Sequence, residues 1–87
     1  MDTVATVSTW TQSLDTPEWD AYALTTIQQM LADGKTELLR SIKGTQGPTE
    51  YVYTRTWLNE AVANEWIAFI DGYPHSVHIE TKIKPIS

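Results

Sequence analysis

The apolar residues of this chain repeat at every second position in some stretches and at every third or fourth in others, and the order of those stretches leaves few folds open. Thr3 to Thr11 is rich in Val and Thr and contains Trp10, a composition that suits a strand. Ser13-Leu14-Asp15-Thr16-Pro17-Glu18 reads as a helix start. Thr16 or Asp15 caps it, Pro17 suits the first helical position, and Glu18 favours the positive end of the helix dipole. Trp19, Tyr22, Ala23, Thr26, Ile27, Met30 and Leu31 then form one stripe at helical spacing, and Gly34 is a natural stop. Thr36 to Lys43 reads as a second strand, Gly44-Thr45-Gln46-Gly47-Pro48 as a turn, and Glu50 to Trp57 as a third strand dense in Tyr, Val and Thr. Asn59 caps a second helix whose apolar face holds Val62, Ala63, Trp66, Ile67, Phe69 and Ile70, with Asp71-Gly72-Tyr73-Pro74 as its end. In the last strand Val77, Ile79, Thr81 and Ile83 alternate with His78, Glu80, Lys82 and Lys84, until Pro85 stops it.

Strand–helix–strand, hairpin, helix–strand is the split βαβ, or ferredoxin-like, order β-α-β-β-α-β. It predicts an α+β domain over residues 1–87, with a four-stranded antiparallel sheet and two helices on one face. Another small α+β arrangement of the same elements is the alternative. With 87 residues and no cysteine, the chain has neither disulfides nor thiolate–metal clusters to hold it together. Folding at this size hides roughly 64% of the chain's surface. Stability therefore rests on apolar packing, with much of the load on four Trp, four Tyr and one Phe.

Eleven acids against six bases give a net charge of −5, which disfavours nonspecific nucleic-acid binding through phosphate neutralisation. No acidic run exceeds a single residue, so the chain does not read as a mimic of DNA either. No apolar stretch approaches a membrane span, and Met1-Asp2-Thr3-Val4 has neither the basic nor the apolar region of a signal peptide. A cytoplasmic location without membrane contact is the expectation.

The informative question is which way each strand points. If the last strand turns Val77, Ile79 and Ile83 towards the helices, His78, Glu80 and Lys82 lie on the other face. The third strand offers Tyr51, Tyr53, Arg55 and Trp57 on one side and Val52, Thr54 and Thr56 on the other. The helices already bring Trp19, Tyr22, Trp66 and Phe69 to the core, and close packing leaves little room for four more bulky groups. This favours Val52 and Thr54 inward and places Tyr51, Tyr53, Arg55 and Trp57 on an open, aromatic sheet face. Ala5 and Val7 inward would add Val4 and Trp10 to it. The competing reading makes Tyr51, Tyr53 and Trp57 simply core. An exposed face bearing Trp10, Tyr51, Tyr53, Arg55, Trp57, His78 and Glu80 suits binding to a protein partner or a second copy, since Tyr, Trp and Arg dominate interface hot spots.

Tyr53-Thr54-Arg55-Thr56-Trp57-Leu58-Asn59-Glu60-Ala61, a strand ending in Arg-x-Trp before a helix with an acidic first turn, is similar to the third strand and second helix of the dimeric α/β-barrel superfamily, which includes antibiotic-biosynthesis-monooxygenase-like domains. The segment covers about a tenth of the chain. The resemblance implies sheets paired through their open faces, and a small-molecule-binding or cofactor-independent oxygenase-like role as the alternative to a non-enzymatic interaction module. No complete set of that family's ligand-contacting residues aligns, so no catalytic residue carries over. RNA-binding domains of the same topology stack bases on sheet aromatics. Tyr51 and Tyr53 invite the comparison, but the Gly-aromatic-Gly pattern and basic flanks are missing.

Other chemistry finds little purchase. His75 and His78 with Glu80 give two ligands at best, short of a metal site. His78 or Glu80 as a base would need a closed cavity around it. There is no nucleophile elbow, and Gly44-x-x-Gly47 is a turn rather than a phosphate loop. Asp15, Asp33 and Asp71 sit at helix boundaries, where capping explains them. Arg40 and Arg55 are expected to pair with Glu37, Glu50 or Glu80 across the sheet. No cofactor is implied.

Overall fold

A computed structural model describes residues 3–74 and 76–86. Six elements follow the expected order: β1 (Val4–Trp10), α1 (Pro17–Ala32), β2 (Ile42–Thr45), β3 (Tyr51–Trp57), α2 (Glu60–Asp71) and β4 (His78–Pro85). The sheet runs β2-β3-β1-β4, with every neighbouring pair antiparallel. This is the ferredoxin-like arrangement, with β1 and β3 central and β2 and β4 at the edges.

Local chemistry accounts for the helix ends. Thr16 is extended, and its hydroxyl accepts a hydrogen bond from the Trp19 amide at 3.2 Å. At the other end Lys35 N–H donates to the Met30 carbonyl (2.9 Å) and Gly34 N–H to the Leu31 carbonyl (3.1 Å). Those two bonds form a Schellman closure, which needs the left-handed backbone that Gly34 supplies at φ 72°. Asn59 caps α2 by accepting from the Val62 amide at 3.0 Å. Gly72 closes α2 for a different reason. A Cβ there would sit 3.0 Å from the Tyr22 hydroxyl, which donates to the Phe69 carbonyl at 2.6 Å.

The second strand is shorter than expected. Thr36 to Ser41 makes no ladder, because side chains occupy its backbone partners. The Thr36 hydroxyl donates to the Thr56 carbonyl (2.8 Å) and accepts from the Leu38 amide (3.3 Å), while the Arg55 guanidinium takes the carbonyls of Leu38 and Leu39. Pairing with β3 starts only at Ile42, which lies opposite Thr54.

The facing of the sheet is the reverse of the expectation. Val4, Thr6, Ser8 and Trp10 of β1 lie opposite Trp57, Arg55, Tyr53 and Tyr51 of β3, and these two rows face the helices. Room exists because large groups meet small ones. β1 contributes the small polar Thr6 and Ser8 between the β3 side chains, and the helices present Ala23 and Ala63, both fully buried. Several polar atoms in this layer are paired, though Trp10 Nε1 and Arg55 Nε have no partner among the described residues. Trp57 Nε1 donates to Thr6 Oγ1 at 2.8 Å, and Ser8 shares a 3.0 Å bond with Thr81.

In β4 the strict alternation fails at a bulge: Thr9 pairs with Glu80, but Trp10 pairs with His78. Ile79 is the extra residue, half exposed. His78, Thr81 and Ile83 thus face the helices, whereas strict alternation placed His78 outside and Ile79 inside. Leu31, expected on the α1 stripe, is also exposed.

The room beneath the helices is tested by filling it. Ala63→Leu is expected to destabilise by about 1–3 kcal/mol through overpacking. A urea midpoint unchanged from wild type would contradict the tight fit described above.

Candidate functional site

The residues expected together on one open face are Trp10, Tyr51, Tyr53, Arg55, Trp57, His78 and Glu80. Only Glu80 lies there. The others occupy the helix side, because the β1–β3 register and the β4 bulge place them under α1 and α2. Trp10 and Trp57 are 1% exposed. Trp10 packs edge-on against Trp19 at 5.3 Å, and Trp57 lies 5.1 Å from Trp66. The Tyr53 hydroxyl accepts from the Leu14 amide at 2.8 Å, fixing the chain just before α1. His78 bridges two elements, with Nδ1 3.1 Å from Asp71 Oδ1 and Nε2 2.6 Å from Thr81 Oγ1. His75 lies outside the described residues. Among those residues no group of three or more His, Asp or Glu could hold a metal ion, and no helix is long and apolar enough to cross a membrane. A cavity closed by a partner over the open face would reach neither Arg55 nor His78.

The open face carries three rows read across the strands: Ile42–Thr54–Val7–Lys82, Gly44–Val52–Thr9–Glu80 and Thr56–Ala5–Lys84. Its centre is β-branched and partly shielded, while its β4 edge is charged, with Lys82 Nζ 3.8 Å from Glu80 Oε1. A shallow open hollow of about 340 Å³ spans Val7, Val52, Ile79, Glu80, Lys82 and Glu50.

A second site lies on the helix side, between the start of α1, the Thr36–Ser41 segment and β3. Arg55 is its floor. The side chain is 2% exposed, and its guanidinium donates to the Leu38 and Leu39 carbonyls. It stands 5.4 Å from the Trp66 ring centroid and 5.8 Å from that of Trp57, within cation–π range. Arg55 Nε has no hydrogen-bond partner among the described residues. Nor does a carboxylate there come within 4.0 Å of the guanidinium, contrary to the expected pairing with Glu37, Glu50 or Glu80. Burial, aided by the charge of Arg40, pushes its pKa down to about 10, so it remains a cation at neutral pH.

Above it is a small cavity of about 70 Å³, whose lining includes Asp15, Arg40, Ser41, Lys43, Tyr53 and Arg55. The two outer cations are already paired, Arg40 with Asp20 (2.9 Å) and Lys43 with Asp15 (2.9 Å). The hydrogen bond from Lys43 holds the Asp15 carboxyl below its ordinary pKa. The sequence marks Arg40 and Arg55 only as candidates for cross-sheet ion pairs; Arg40 instead precedes β2 and pairs with Asp20. The burial of Arg55 followed only from the strand facing.

No protein-family model, curated protein or solved structure matches the chain. The reading of both sites therefore rests on their own chemistry.

The Lys43–Asp15 pair gives a pH prediction. A lowered carboxylate pKa in the folded state adds stability that is present above the unfolded value and is lost as pH falls through the folded one. Both groups are well exposed, so the contribution is small. Lys43→Ala is expected to return the Asp15 titration upward, as read by NMR. An unchanged Asp15 titration would mean that Lys43 is not its partner in solution.

Proposed function

We propose that this chain is a non-enzymatic interaction module that pairs the open face of its sheet with the same face of a second copy. The observation that carries the reading is the uncovered row pattern itself. Val7, Val52 and Thr54 lie at the centre of the sheet with no helix over them, flanked by the exposed Ile42 and Ile79. A twofold axis lying between two such faces and running across the strands along the Thr54–Val7–Lys82 row brings Glu80 of each copy near Lys84 of the other, with Lys82 beside its counterpart in the other copy at the solvated rim. The partner surface is β-branched rather than aromatic, so this form of the proposal does not depend on the buried Tyr53 or Trp57.

Size sets the expected strength. A four-stranded sheet of about seven residues per strand has a flat footprint of roughly 450 Å². About 900 Å² in total is below the range of stable specific interfaces, and an interface without large aromatic anchors has few hot spots. Self-association is accordingly expected to be weak, with Kd between about 10 µM and 1 mM.

Sedimentation velocity over that concentration range provides the test. Wild type is expected to move from monomer to dimer, and Thr54→Lys, which sets like charges face to face near the axis, to remain monomeric with unchanged far-UV dichroism. A wild type that stays monomeric at millimolar concentration would refute the proposal, as would a dimer indifferent to Thr54→Lys.

A further inference from the structure

We propose that the cavity above Arg55 is a binding site for a small tetrahedral oxyanion of the phosphate type, held by Arg40, Lys43 and the Tyr53 hydroxyl over the buried Arg55 charge. The site is on the helix side of the sheet, so it stands or falls separately from any dimer formed through the open face.

Charge is the first argument. Arg40, Lys43 and Arg55 line or floor the cavity, and Asp15 and Asp20 neutralise only the outer two. One positive charge is left over, on a chain whose net charge is −5, and it sits on the most deeply buried of the three side chains. Carbonyl dipoles and indole faces stabilise a guanidinium without neutralising it, so an anion entering the cavity would meet an uncompensated cation. Water is largely excluded around Arg55, and charges there are poorly screened.

The arrangement of donors is the second argument. Arg55 gives one N–H of each terminal nitrogen to the Leu38 and Leu39 carbonyls, which fixes the plane of the guanidinium and leaves Nε–H as a buried donor without a partner among the described residues. The remaining donors come from separate elements. Lys43 lies on β2, Arg40 just before it, and Tyr53 on β3. The Tyr53 oxygen accepts from Leu14 N–H, and its only other contact is a long 3.4 Å one with Ser13 Oγ, so an incoming anion has a weak bond to displace for the Tyr53 proton. Donors converging from several directions match a tetrahedral anion better than a planar one. The cavity, at about 70 Å³, has room for a group of this kind. Asp15 in the cavity lining is exposed, Asp20 on the far side of Arg40 is partly so, and both ion pairs run through flexible side chains, so a dianion can compete for Lys43 and Arg40.

The probe is inorganic phosphate, titrated up to about 20 mM into the full chain at constant ionic strength, with the Arg55 Nε–H and the Ser41 and Lys43 amide resonances followed by NMR. Saturable shifts are expected, with acetate binding at least about fivefold more weakly. Lys43→Gln, at an exposed position, is expected to weaken phosphate binding about fivefold or more, whereas Lys84→Gln on the open face leaves it unchanged. Absence of saturable shifts would overturn the site. Equal weakening by Lys43→Gln and Lys84→Gln would reduce the effect to general charge and overturn it too. Acetate binding as tightly as phosphate would overturn the tetrahedral assignment.

Discussion

Volume matching between β1 and β3 is the constraint on which the rest of the structure depends. Tyr53, Arg55 and Trp57 can all point beneath the helices only because Thr6 and Ser8 lie beside them and Ala23 and Ala63 lie above. With that arrangement, the Trp57 indole finds Thr6, the Tyr53 hydroxyl reaches the start of α1, and Arg55 reaches the segment before β2. Large side chains on one strand therefore do three jobs: they fill the core, position the first helix, and tie down a connection that makes no ladder of its own.

The order of elements was legible in the sequence because caps, turns and periodicity are local. Thr16, Gly34 and Asn59 act where their residue types suggest. The facing of the strands was not legible, since alternation defines two faces without saying which is covered. Crowding by Trp19 and Trp66 argues for keeping the β3 aromatics out of the core; the small residues that relieve it, Thr6 and Ser8 on β1 and Ala23 and Ala63 on the helices, are brought opposite them only by tertiary register. The competing reading of Tyr51, Tyr53 and Trp57 as core matches the structure. His78 was misplaced for another reason: a bulge adds one residue, and strict alternation carries its phase across that point.

Arg55 shows how a polar group becomes central to a small core. Its charge is spread over two carbonyls and two indole faces rather than cancelled by a carboxylate. Such a group costs stability through desolvation and returns part of it by ordering the segment it binds. It also leaves an electrostatic imbalance beside a cavity, which an aliphatic residue of the same length would not.

The bulge at Ile79 has a consequence for how the sheet can grow. β4 is an eight-residue edge and, left regular, would be a template on which another chain could add a strand. The irregular step near its start, the outward lysines 82 and 84, and Pro85 at its end interrupt that template at intervals of a few residues. The opposite edge, β2, is only four residues long and contains a glycine. Runaway edge-to-edge polymerisation is thus blunted on both sides, and the uncovered face remains the broader surface through which copies can meet.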